Sequence, residues 1–100
     1  MHKPAVDIAP DMITLVSGHQ DGAIRFWDFL RSPTCVHSVT QHTAHVTHVQ
    51  FSPRNHYEIL TSSKDNSLKI IDTRTYTASQ VCYFTFLPTI ENYLFIAVRW

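Results

Sequence analysis

The sequence predicts an all-β chain assembled from two copies of one strand-rich unit. Three observations predict it. Val, Ile and Thr make up 27 of the 100 residues, against 19 for Ala, Leu, Glu, Lys and Met together. β-Branched side chains suit a pleated surface and lose χ1 freedom in a helix. Short strand-like runs are punctuated by turn signals every 8–12 residues or so, the rhythm of an all-β fold, and no segment holds a helical period. Finally, the chain repeats itself at a spacing of 44 residues.

The repeat is visible residue by residue. Ile24-Arg25-Phe26-Trp27-Asp28 falls on Leu68-Lys69-Ile70-Ile71-Asp72, Asp21-Gly22 on Asp65-Asn66, and Leu15-Val16-Ser17 on Ile59-Leu60-Thr61. Aspartate recurs at both of its positions, and apolar and basic classes recur between them. Such a period is that of four-stranded propeller blades.

Taken in order, Val6-Asp7-Ile8 reads as a remnant of a first strand. Met12 to Ser17 is an apolar, β-branched run. Asp21-Gly22 signals a tight hairpin of type I′, which needs φ > 0 at both central residues. Ala23 to Phe29 is the return strand, and Arg31 to Thr34 a Ser/Pro loop. Cys35 to Thr40 alternates, with Cys35, His37 and Val39 on one face. His45 to Phe51 is a strand with Thr47, Val49 and Phe51 on one face. Ser52-Pro53-Arg54-Asn55 is a turn, because proline presets φ. Glu58 to Ser62, the Asp65-Asn66 turn and Ser67 to Asp72 complete the second unit.

Composition narrows the function classes. Eight basic residues balance eight acidic ones. A nucleic-acid binder carries a basic excess or stripe, and none is present. Cys35 and Cys82 form neither a disulfide framework nor a CxxC pair, so a reducing, intracellular setting is expected. No basic region followed by an apolar run opens the chain, so no secretory leader is expected.

Three segments carry a family resemblance. Phe26-Trp27-Asp28 closes the first hairpin on a Trp-Asp dipeptide. Gln41-His42-Thr43, then Val46-Thr47-His48-Val49-Gln50-Phe51-Ser52-Pro53, resembles the Gly-His and V-x-x-V-x-F-S-P segments of WD40 repeats. Leu15-Val16-Ser17-Gly18-His19, Asp21 and Ile24 to Asp28 resemble the L-V-S-G-H-x-D-x-x-I-R-F-W-D segment of autophagy-related protein 16-like propellers. Asp65, Leu68-Lys69, Ile71-Asp72 and Arg74-Thr75 resemble their next blade. Gln41 departs from the pattern where glycine usually precedes the histidine, as does His19 where many repeats place serine.

The resemblance implies a partial WD40 β-propeller of about two blades. Residues 1–34 would be a first, partial blade, 35–81 a second, and 82–100 a divergent apolar tail. It further implies a structural hydrogen-bond network of His42, Ser63 and Asp65, with Ile71 at the tryptophan position. Asp21 and Trp27 are the first blade's members. Arg25, Lys69 and Arg74 would form a protein-docking rim or simply solvated faces. Partners would be other proteins, from the autophagy conjugation machinery or membrane receptors, at a cytoplasmic site or peripherally on autophagic membranes.

The same residues admit other chemistries. His42, Ser63 and Asp65 suggest a serine hydrolase triad, but no nucleophile elbow or oxyanion-hole motif accompanies them. His37, His42, His45 and His48 crowd beside Cys35, yet no zinc-ligand spacing occurs. In a regular strand His45 and His48 would point to opposite sides. No catalytic residue, metal or cofactor is therefore expected.

The tail, 82–100, breaks the pattern. Val81 to Val98 approaches the length of a membrane span, but Pro88, Glu91 and Asn92 sit at its centre, where a charge is costly. Tyr93 to Val98 could form a strand. The expectation is a truncated or alternatively spliced product, or a fragment, with a tail not selected to finish a blade. Repeat units bury their faces against neighbours, so two alone should be marginally stable or self-associate.

Overall fold

The computed structural model describes residues 5–28, 30, 34–53, 55 and 57–83. They form eight strands. These are β1 (Ala5–Ile8), β2 (Thr14–Gly18), β3 (Ala23–Asp28), β4 (Thr34–Thr40), β5 (Val46–Phe51), β6 (Glu58–Ser63), β7 (Ser67–Asp72) and β8 (Thr77–Tyr83). Two four-stranded antiparallel meanders result, ordered β1-β2-β3-β4 and β5-β6-β7-β8. The expected loop at 31–33, Phe29, Arg54, His56 and the tail from residue 84, with its Tyr93 to Val98 strand, lie outside the described residues.

The first sheet has all four strands, which corrects the expectation of a partial unit. Ala5–Ile8 pairs along its whole length with β2. The expected division at 34/35 marks the sequence repeat and not the sheet: Thr34–Thr40 hydrogen-bonds to β3 and closes the first sheet. Likewise β8 runs across the 81/82 division and closes the second. The sequence reading gives 77–83 no strand, because its side chains there are mostly exposed and carry no alternation to read.

The two sheets share one core. Ala5, Val16, Ile24 and Phe26 come from one face of the first sheet; Val46, Val49, Phe51, Ile59 and Ile71 come from the facing side of the second. Strand β5 lies against β1 and β2. The burial of these apolar side chains, about 1.5–3 kcal/mol for each of the valines, isoleucines and phenylalanines, is the main force holding the sheets together. Polar ties reinforce the seam. Asp7 Oδ2 accepts the Phe51 N–H at 2.8 Å, and the His19 carbonyl accepts the Val46 N–H at 3.0 Å.

Bulges explain where strand parity misleads. In β5 the register slips between Val46 and His48, leaving Thr47 as the extra residue. The core face is thus Val46, Val49 and Phe51, and not Thr47, Val49 and Phe51. The slip also removes the parity argument that set His45 against His48. In β4, Trp27 pairs with Cys35 while Phe26 pairs with His37. Cys35 is therefore on the opposite face from His37 and Val39. The same slip recurs one period later between Ile70 and Ile71.

The hairpin turns also differ from expectation. The His19 carbonyl accepts the Gly22 N–H at 3.2 Å, and the His19 N–H donates to the Ala23 carbonyl at 3.0 Å. Only Gly22, at φ 86°, is left-handed. This is a three-residue Gln20-Asp21-Gly22 loop with a terminal left-handed residue, not a two-residue type I′ turn. Asn66, at φ 65°, repeats it. Asp21 Oδ1 and Asp65 Oδ1 each accept an N–H two residues on, from Ala23 at 3.0 Å and Ser67 at 2.9 Å. That bond is why aspartate recurs at this position in both units.

Candidate functional site

The densest polar cluster is built around His42, in the linker between β4 and β5. Its ring is buried, 2% exposed, and three elements meet it. Nδ1 lies 3.1 Å from Asp65 Oδ2 and 3.0 Å from Ser67 Oγ, while Nε2 lies 2.8 Å from Thr61 Oγ1. The carboxylate assigns the ring proton to Nδ1, so Nε2 accepts the Thr61 hydroxyl. Asp65 also accepts the Thr43 N–H at 3.1 Å and the Ser67 hydroxyl. The loop before β5 is thus tied to strand β6 and to the β6–β7 turn.

Ser63 takes a different place from the one expected. Its hydroxyl donates to the Ala44 carbonyl at 3.0 Å and accepts the Asp65 N–H at 3.1 Å. Thr61 and Ser67 hold the His42 contacts instead. The sequence contained the signal for Thr61. The 44-residue offset sets it on Ser17, and Ser17 Oγ accepts the Trp27 indole N–H at 2.8 Å. In the first sheet the third member is His19, whose Nε2 is 2.7 Å from Ser17 Oγ. Ile71 has no side-chain N–H, so Thr61 is left to His42 and, at 3.5 Å, to the Lys69 carbonyl. Trp27 lies on the first sheet's face away from the second sheet, half-buried, whereas Phe26 enters the shared core.

Each of the three basic residues has a partner of its own. Arg25 pairs with Asp21 at 3.3 Å. Lys69 faces the seam and donates to the Gln41 carbonyl. Arg74 sits in the β7–β8 loop, pairs with Asp72 at 2.7 Å and lies 3.8 Å over the Tyr57 ring. The histidines are dispersed: His37 stacks on Tyr76, and His42 is held as described. Among the described residues no three His, Cys, Asp or Glu side chains are placed to hold a metal ion, and no helix is long and apolar enough to cross a membrane.

Electrostatics make the cluster acid-sensitive. Burial pushes the His42 imidazole below its ordinary 6.5, outweighing the pull of Asp65. Burial pushes the Asp65 carboxyl up, but the bonds from Ser67, Thr43 and His42 prevail and hold it at about 2. Both signs run the same way. As pH falls through 6.5 the unfolded chain takes up a proton that folded His42 resists. Below 3.8 it takes up another that folded Asp65 resists until about pH 2. Thermal midpoints are expected to drop in two stages on acidification. Asp65→Asn should shrink the lower stage, leaving the part that the hydrogen-bonded Asp21 and Asp72 carboxyls supply; a flat wild-type profile from pH 7 to pH 3 would refute this.

Asp65→Ala leaves the Thr43 N–H, the Ser67 hydroxyl and His42 without their acceptor, at a cost of about 3 kcal/mol. Lys64→Ala, on the exposed neighbour, should stay within about 0.5 kcal/mol. Urea midpoints of the two variants check the difference.

The family described as WD domain, G-beta repeat matches residues 2–28 and 33–72. The chain belongs to the WD40 repeat family. The His42–Thr61–Asp65 contacts are thus a WD40 blade's polar network, and the two meanders are WD40 blades. The second match starts at 33, one strand before the second sheet, because the sequence repeat is offset from the blade by its outer strand.

Among curated relatives, the chain is 48% identical over 63 residues to protein tipD of Dictyostelium discoideum, covering 62% of this chain and 10% of that protein. It is 41% identical over 71 residues to autophagy-related protein 16 of Arabidopsis thaliana, covering 71% and 14%. It is 39% identical over 62 residues to eukaryotic translation initiation factor 3 subunit I of Bombyx mori, covering 62% and 18%. The chain therefore spans less than a fifth of each. A chain in the crystal structure of the mitotic checkpoint complex matches with a TM-score of 0.72 at 21% identity, over 83% of this chain and 26% of that one. That likeness shows the shared propeller fold. The chain fits a WD40 segment of an autophagy-related protein 16-like propeller.

Proposed function

We propose that the chain is a non-catalytic protein-docking scaffold acting in autophagosome assembly, as two blades of an autophagy-related protein 16-like propeller. The 41% identity to autophagy-related protein 16 across 71 residues carries this reading. The chemistry of the cluster supports it. Thr61, Ser63 and Ser67 are fully buried and their hydroxyls are spent on His42, Asp65 and backbone. A nucleophile must face a site that a substrate can reach. The network instead fixes loop and turn so that blade surfaces present a rigid shape, and the chemistry belongs to the partners. The expected place of action is the cytoplasm and the periphery of autophagic membranes. His42, Ser63, Asp65, Asp21 and Trp27 serve the scaffold; Arg25 and Arg74 are the exposed-side cations available to a partner.

Affinity capture with the full chain, probed for the ubiquitin-like lipid conjugation apparatus, tests the proposal. Recovery of that apparatus supports it. Recovery of translation initiation subunits in its place gives a WD40 scaffold of another pathway, the reading favoured by the subunit I similarity. Labelling of Ser63 by a fluorophosphonate probe would overturn the non-catalytic role.

A further inference from the structure

The seam between the two sheets is not uniform. Its inner half is tied by backbone and by close packing: Phe51 N–H to Asp7, Val46 N–H to the His19 carbonyl, and His42 N–H to the Gly22 carbonyl at 3.2 Å. Val46, which no solvent reaches, fills the space over Gly18. Its outer half is looser. A cavity of about 220 Å³ runs from Ala9 and Phe51 on the inner side to Phe26, Val36 and Tyr76 on the outer.

Tyr76, in the β7–β8 loop, reaches across this outer half. Its ring stacks on His37 of β4, with centroids 3.6 Å apart and planes at 20°. It meets Phe26 of β3 edge-on at 5.2 Å. Its carbonyl accepts the Gln41 side-chain N–H at 3.1 Å, and its N–H donates to the Asp72 carbonyl at 2.7 Å. Its φ of 58° is left-handed, a conformation that disfavours an aromatic residue and persists only when its surroundings impose it. Here the stacking and the Gln41 bond impose it.

We propose that Tyr76 is a strap that holds the outer half of the inter-sheet seam shut. Its release opens a cleft beside β3 and β4 while the inner half stays packed. The strained backbone favours release, and the two ring contacts oppose it. The strap is a conformational device of the second sheet acting on the first, and it meets the linker that carries His42 through Gln41.

Hydrogen exchange of the full chain tests it. Tyr76→Gly removes both ring contacts that oppose release, a loss that its relief of the left-handed backbone offsets only in part. Exchange in β3, β4 and the β7–β8 loop should accelerate about tenfold, the value of two aromatic contacts. β1, β2, β5 and β6 should change less than about twofold, within the scatter of local opening. Tyr76→Phe should keep the wild-type pattern, and His37→Ala should show a weaker form of the Tyr76→Gly pattern. Uniform acceleration, no acceleration, or an unfolded Tyr76→Gly chain would each overturn the proposal, because a strap is local and dispensable to the fold.

Discussion

Gly22→Ala is expected to be the most damaging single methyl added to this chain. A Cβ at Gly22 would sit 1.9 Å from the His42 carbonyl oxygen and 2.7 Å from its carbon. Backbone cannot rotate aside as a side chain can, so the linker that delivers His42 must move. The φ of 86° adds the strain of a left-handed alanine. Together these should cost about 4 kcal/mol or more, at the upper end for a point change. Gly22→Asn separates the two causes. Asparagine occupies the equivalent left-handed position at 66 without difficulty. If conformation alone mattered, Gly22→Asn would be mild. The contact with the linker predicts that it fails like Gly22→Ala, while Asn66→Gly stays within about 1 kcal/mol. Equilibrium unfolding of the three variants decides this.

His42→Ala should follow closely, at about 4 kcal/mol. The ring is the hub of bonds to Thr61, Ser67 and Asp65. Its loss leaves a Thr61 hydroxyl facing a cavity in a wholly buried site. Asp65 would lose one of its two donors from the linker, and the linker one of its ties to the second sheet. The effect should be strongly non-additive with Asp65→Ala, with a coupling of about 2 kcal/mol, because the second substitution removes groups the first has already orphaned. A double variant that destabilises by the full sum would show that the two residues act separately.

The repeat made much of this legible. A single offset of 44 residues located both hairpins, their aspartates and the Trp-Asp position. What the offset could not show was parity across a bulge. Thr47 and Val36 are extra residues in their strands, and each shifts its neighbours to the other face. Propensity does not register a one-residue insertion in a ladder, because pairing partners set it. The family resemblance puts Ser63 in the network, two residues from Asp65, where its hydroxyl caps the turn by accepting the Asp65 N–H. The His42 partner had to come from a strand position facing the linker, and Thr61 holds it. The outer strands were the hardest to read. Thr77–Tyr83 is exposed on nearly every residue, so no buried face writes itself into the sequence.

The two blades share a core and unfold globally as one unit, whatever local opening the outer seam allows. Val46→Ala tests it most directly, because Val46 belongs to the second sheet, is fully buried and fills the seam. The substitution should cost about 2 kcal/mol, or roughly thirtyfold in the rate of exchange through global opening. Amide exchange would be followed at Val16 in the first sheet and Ile59 in the second. The account predicts equal acceleration at both. Acceleration at Ile59 with Val16 unchanged would contradict it, because each sheet would then be standing alone.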